Sequence, residues 1–532
     1  MKRLAAVCLL LAGCASSQLS DSARLKQVGD DYWQHQLNEN IGLQIKFGIP
    51  TKHLPDVSYA HAQREAEFAQ SVLQRLNAIH ADGLTVDERV SLGILRWQNQ
   101  LVVDGLPWFW YRIPVTPYTF QFLGISQLFR QKLSDADRNR LLAEVPRVAD
   151  QLIEVLKQEQ QRGIVLPKSE IAQVKQTFTA LASLMPGIER VGDYLGGQEA
   201  VAPSTVGLAQ YPGGSEAYRY FIRERTSVDL TPQQIHELGL HEVERINRNM
   251  QQVRDSLGFR GTKADFQQFL KTDPRFFAKT PEEVGERLTN DFHRIEPHLA
   301  QYFAIFPKAK YDVQRLNPAL EGSITFGYYQ QPTATDPIGH YYYNGSKLNE
   351  RNLLFAQALI AHELVPGHHF QIARQEENEN LPAFRRETFD TAFVEGWGEY
   401  AAFLGNEMGL YEDPYDRYGR LMMDMLLSVR LVVDTGMNAL GWSRERAADF
   451  MRENTLLSET EIATETLRYA VDMPAQALAY KIGSLKMIEL RNNAQQKLGL
   501  RFDVKQFHEW IIGSGSMPLP ILEQHVADEM KR

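Results

Sequence analysis

The sequence predicts a mainly α-helical protein, a large multi-helix body with one small β-hairpin or sheet. Three observations carry that expectation. Apolar residues recur at three- and four-residue spacing, with charges between them, over most of the chain. Helix-start signals stand at the head of some of these runs, and strand-like pieces are confined to residues 322–346. The 532 residues are 43% hydrophobic and 23% charged, a globular composition that excludes disorder, collagen-like repeats and a small disulfide-stapled scaffold.

In chain order, the first element is a leader. Met1-Lys2-Arg3 precedes an apolar run over residues 4–12 and then Gly13-Cys14. Two basic residues before about nine apolar ones suit a secretory signal, residues 1–13, and are too short to span a bilayer. Leu11-Ala12-Gly13-Cys14 resembles a bacterial lipoprotein cleavage box. That likeness implies cleavage before Cys14, acylation of the new N-terminal cysteine, and a membrane partner reached through the lipid. Ala15 rather than Asp follows, which in such lipoproteins favours the outer membrane and a body facing the periplasm. Cys8 and Cys14 are the only cysteines and Cys8 leaves with the leader, so no intramolecular disulfide is expected. No later stretch approaches 18 uninterrupted apolar residues. Lys+Arg total 57 against Asp+Glu 66, a net charge of −9, which offers no electrostatic footprint for nucleic acid.

Helical patterns follow over 59–80, 136–162, 232–256, 281–304, 352–364, 416–439, 443–453 and 475–498. Thr231-Pro232-Gln233-Gln234 and Thr280-Pro281-Glu282-Glu283 read as N-caps with proline at the first helical position. Residues 196–215, rich in Gly and Pro, join an N-terminal helical region (14–205) to a C-terminal one (206–532), together one catalytic body. Ser323-Ile324-Thr325-Phe326-Gly327-Tyr328-Tyr329 and His340-Tyr341-Tyr342-Tyr343-Asn344 are the strand candidates, just before the most informative helix.

That helix ends in Ala361-His362-Glu363-Leu364-Val365-Pro366-Gly367-His368-His369. In zinc hydrolases of the His-Glu-x-x-His type, two histidines one turn apart face one metal and the glutamate activates a water. Here the second histidine comes six or seven positions later. On an unbroken helix, seven residues restore the face but separate the rings by about 10.5 Å along the axis. A bulge at Pro366-Gly367 is expected to absorb the excess and return His368, or else His369, to the metal. Glu395 and Glu399 lie four apart on one face of a downstream helix, so Glu395 is assigned as third ligand and Glu399 as a support for a liganding histidine. Gly396 and Gly398, beside Trp397, suggest close packing, expected on the bulged segment.

His362-Glu363-x-x-Pro366-Gly367-His368-His369-x-Gln371 with Glu395-Gly396-Trp397 resembles the bacterial domain of unknown function numbered 885. The likeness extends over most of the chain. It takes in His236-Glu-Leu-Gly239, Val433-Asp434-Thr435-Gly436, Pro474-x-Gln476-Ala477-x-x-Tyr480 and Gly515-Ser516-Met517-Pro518-Leu519. That family is similar to helical zinc peptidases such as angiotensin-converting enzyme and the oligopeptidases. The similarity implies a mostly helical body, a deep substrate cleft and a Zn2+ held by His, His and Glu. His368 is preferred over His369 because Gly-His matches the end of related motifs. One departure is Asn438, where many relatives are expected to carry a histidine that would assist the transition state.

The expected activity is zinc-dependent hydrolysis of a peptide substrate, with His362, His368 and Glu395 on the metal and Glu363 moving the proton. Tyr480 is the candidate for stabilising the oxyanion, as Tyr or His commonly does in such peptidases. Tyr341 to Tyr343 are candidates for pairing with an extended peptide, and Arg430 and Arg468 for holding a carboxylate, although ion pairing is the commoner arginine role. His508 reads as structural. The alternatives are a catalytically silent peptide-binding lipoprotein, motivated by Asn438, and a metal amidase acting on cell-wall peptides.

Overall fold

The computed structural model describes residues 19–116, 120–318, 321, 326–333 and 336–532. The leader and Cys14 lie outside the described residues, as do 323–325 of the first strand candidate. Helices dominate, as expected. The elements that position the site are helices α1 (Asp21–Glu39), α2 (Tyr59–Asn77) and α3 (Pro232–Ser256), strands β1 (Lys310–Arg315), β2 (Gly327–Gln330) and β3 (Ile338–Tyr343), and helices α4 (Ala356–Glu363), α5 (His368–Glu376), α6 (Thr391–Leu404), α7 (Pro414–Ala439) and α8 (Ala479–Leu498).

Local chemistry sets the helix ends. Thr231 and Gln234 form a reciprocal capping box with Pro232 in the first turn, and the Thr280 hydroxyl accepts from Glu283 N–H. The single helix expected over 136–162 is instead two, Asp135–Leu142 and Val145–Gln161. Pro146, which has no N–H to give, sits in the first turn of the second, where none is needed. The run expected over 281–304 changes geometry at Pro297, where α-helix gives way to a 3-10 turn over Glu296–His298. Buried apolar residues from Leu25, Val72 and Leu152 through Val429, Leu522 and Val526 form one continuous core.

The sheet has three strands in the order β1-β3-β2, with β3 parallel to β1 and antiparallel to β2. Its second pairing matches the expected hairpin-like piece. The sequence did not announce β1, because Lys310-Tyr-Asp-Val-Gln-Arg315 is half-exposed and largely polar. What fastens β1 is ionic as well as backbone. His340, in register with Asp312, is 4% exposed, with Nδ1 2.5 Å from Asp312 and Nε2 2.9 Å from Asp336.

A buried charge network locks four helices behind the site. Lys481 of α8 lies 2.7 Å from Glu242 of α3 and 2.5 Å from Asp424 of α7. Arg245 of α3 also reaches Asp424, at 2.8 Å, and Arg420 of α7 holds Glu399 of α6 at 2.6 Å. Isolated charges at this depth would cost several kcal/mol each, so the pairs define which helix faces can meet.

Two outcomes follow from these contacts. Burial disfavours the His340 cation, but Asp312 and Asp336 outweigh it and raise its pKa above the usual histidine range. The clamp therefore stabilises fully below about pH 6.5 and fades as pH rises through the raised value. His340→Gln should lower unfolding free energy by about 1–3 kcal/mol at pH 6 and by less at pH 9, measured by denaturant titration; a pH-independent loss would contradict the clamp. Lys481→Met, which removes the buried cation and leaves Glu242 and Asp424 to the more exposed Arg245, should cost about 3–5 kcal/mol in the same assay.

Candidate metal centre

His362 and Glu363 form the last turn of α4, after which Leu364 leaves helical geometry at φ −106, ψ −92. The expected bulge inside one helix is instead a complete break, with α5 restarting at His368. Gly367 explains the tightness of the turn: a Cβ there would lie 1.8 Å from the His362 carbonyl oxygen. Trp397 of α6 closes it from outside, its indole N–H donating to Pro366 O at 2.9 Å. The reversal turns the His368 ring back onto His362, with centroids 4.6 Å apart and planes at 80°.

Glu395 enters from α6. Its Oε2 lies 3.5 Å from His362 Nε2 and 3.4 Å from His368 Nε2. An ion bound tetrahedrally at about 2.0–2.1 Å to N and O ligands holds them about 3.4 Å apart, so this spacing fits one. Glu395 Oε2 is buried with no hydrogen-bond partner, an oxygen left for something else to satisfy. Two imidazoles and a carboxylate suit a zinc-type ion better than Ca2+ or Mg2+. Gly398 permits the arrangement, since a Cβ there would meet the His362 ring at 2.8 Å. Gly396 faces the other way, against the Gly483 backbone of α8, so only one of the two glycines beside Trp397 packs on the segment that carries His362.

The electrostatics match the geometry. Burial, then the neighbouring His368, push His362 down to about 4, so it stays neutral at neutral pH, as a metal ligand must. Burial opposes ionisation of Glu395, but the two imidazoles outweigh it and hold the carboxyl well below the usual range. Glu363 differs: burial dominates and pushes its carboxyl up to about 7, although the Tyr329 backbone N–H donates to it and His368 favours the charge.

Tyr480 stacks beside His362 at 5.9 Å, and burial followed by the nearby Glu395 pushes its hydroxyl up to about 12. Gln476, quoted only as part of the Pro474-x-Gln476 pattern, stands between them, its amide 3.5 Å from both Glu395 Oε1 and the Tyr480 hydroxyl. His362, Glu363 and Tyr480 line a cavity of about 130 Å³ whose walls include Met422, Leu426 and Leu457. Arg430 and Arg468 line it too, but both are engaged by Glu465, at 3.1 and 3.4 Å. A larger cleft of about 1090 Å³, bordered by Trp33, Lys46, Lys308 and Arg386, contains no member of the cluster.

Several residues considered for the site lie outside the cluster. His369 turns away from the cluster to the sheet side, between the Tyr329 hydroxyl at 3.0 Å and Ala309 O at 3.1 Å, because one residue along α5 rotates the side chain about 100°. Glu399 supports neither histidine; it is spent on Arg420. Tyr341 to Tyr343 sit on the central strand, whose two edges are already paired, so β2 is the strand beside Glu363 with an edge to offer. Asn438 is fully buried, its amide donating to Asp434 and Tyr469 and its oxygen accepting from Leu208 N–H. It ties helix to loop and does not line the cavity. His508 is structural as expected, bonded to Tyr400 and Tyr302.

Solved structures share the fold, among them two described as putative lipoproteins. "The crystal structure of the putative lipoprotein from Colwellia psychrerythraea" matches at a TM-score of 0.89 and 22% identity, covering 96% of this chain and 100% of that one. A Shewanella oneidensis protein described as "a putative lipoprotein of unknown function" matches at 0.73 and 18% identity, covering 95% and 99%. A search of curated proteins finds no match. The model of the family described as bacterial protein of unknown function (DUF885) matches residues 39–187 and 175–526, so the chain belongs to that family.

Proposed function

We propose that the chain is a zinc-dependent peptidase of the bacterial cell envelope, tethered through an acylated Cys14. The observation that carries this reading is the convergence of His362, His368 and Glu395 on one point, with Glu363 and Tyr480 in the same cavity wall. The lipoprotein descriptions of both solved relatives support the envelope part. So does the Leu11-Ala12-Gly13-Cys14 box, with no described helix long and apolar enough to cross a membrane.

Zn2+ held by His362, His368 and Glu395 would polarise a scissile carbonyl and make a water molecule more acidic. Glu363 takes the proton of the attacking water as its oxygen bonds to the carbonyl carbon. A carboxyl poised near neutrality can then give that proton to the amine nitrogen as the C–N bond breaks. Tyr480 donates to the carbonyl oxygen as that oxygen gains negative charge. The Arg430 guanidinium, 4.9 Å from the Tyr480 ring centroid, favours a hydroxyl ready to donate. The apolar walls suit an apolar substrate side chain, and the outer edge of β2, paired with no strand among the described residues, suits an extended backbone.

Metal analysis beside a mixed peptide library tests the reading. Glu363→Gln should lower hydrolysis about 10²–10⁴-fold while keeping the ion. His362→Ala and Glu395→Gln should lose the ion itself. Tight zinc with no Glu363-dependent cleavage would leave a peptide-binding lipoprotein, and cleavage confined to cell-wall fragments would make it an amidase. Tyr480→Phe should reduce kcat by about 10²–10³ with little change in KM; an unchanged kcat would remove Tyr480 from the reaction.

A further inference from the structure

Helices α1 and α2 carry one spacing twice: His35 and Glu39 on α1, His61 and Glu65 on α2. Four-residue spacing puts each pair on one helix face. The helices meet so that His35 Nε2 lies 2.9 and 3.1 Å from the two oxygens of Glu65. Donor atoms of Glu39, His61 and Glu65 all fall within 4.8 Å of one another. The His35 ring is stacked on Phe68, centroids 3.6 Å apart at 17°, which restricts its rotation. His35 and Glu65 keep only 20% and 26% of their side-chain surface exposed.

Among the described residues, neither Glu39 nor Glu65 pairs with a lysine or arginine. Arg64, beside them on α2, is engaged by Asp56 at 2.7 Å. With neutral imidazoles the group carries two negative charges, and Arg64 acts on Glu65 only through space. An imidazole between two carboxylates is a donor set for a divalent ion of the zinc type; hard Ca2+ and Mg2+ prefer oxygen alone.

We infer that Glu39, His61 and Glu65 form a second divalent-metal site, aligned by His35, that clamps the end of α1 to the start of α2. Liganding carboxylates are themselves held by hydrogen bonds, and His35 supplies one to Glu65. The bound ion would bridge across residues 40–58 and stiffen the N-terminal region. The inference is independent of the catalytic reading.

Zinc per full-length chain, measured after gel filtration from micromolar zinc, tests it. Wild type should retain two ions, and His61→Ala, Glu65→Gln, His362→Ala and Glu395→Gln one each. Affinity at the second site should fall by at least about tenfold in His35→Ala. Zinc should also raise the Tm of His362→Ala protein, and the rise should vanish when His61→Ala is added. A His362→Ala protein with no retained zinc, or one binding only at millimolar zinc or regardless of His61, overturns the site. One ion in wild type that depends on His61 and not on His362 supports it while overturning the catalytic centre.

Discussion

The site depends on one reversal of the backbone, residues 364–367. Without it, the histidine at position 368 would leave α4 in the wrong direction, and a zinc-type donor set would not exist. The reversal is enforced by Gly367 pressed against the His362 carbonyl and by the Trp397 hydrogen bond to Pro366. The constraint is steric and local at one end, tertiary at the other.

Helix α6 does several jobs within five residues. Glu395 points into the cluster, Gly396 packs on α8, Trp397 pins the turn, Gly398 makes room for the His362 ring, and Glu399 ties back to Arg420. Because one helix turn separates Glu395 from Glu399, the charge network behind the site also sets the position of Glu395 in front. Burying so many charges is costly unless each is paired, so the arrangement trades stability for a fixed register of α3, α6, α7 and α8.

Much was legible in the sequence because its causes are local. Capping residues and apolar spacing mark α3 closely, and the His-Glu pair with its downstream acidic helix nominates the three groups that meet. The Pro-Gly step also marks where the helix must yield. Other features were illegible for equally physical reasons. The half-exposed, polar β1 has no apolar alternation, since its partner is a charged clamp on His340. The choice between His368 and His369 depends on the exact exit angle of the turn. The fate of Glu399 depends on an arginine 21 residues away.

Chemistry that a residue carries on its own, or through neighbours within a helical turn, is settled by the order of amino acids: helix or strand, break or continuation, a ligand-capable side chain. Direction is different. Which imidazole turns inward, which carboxylate is consumed by a guanidinium, and whether Asn438 faces a cavity or a loop are outcomes of helices packing at fixed distances. They follow from pairing buried charges and filling space, which no stretch of chain can do alone.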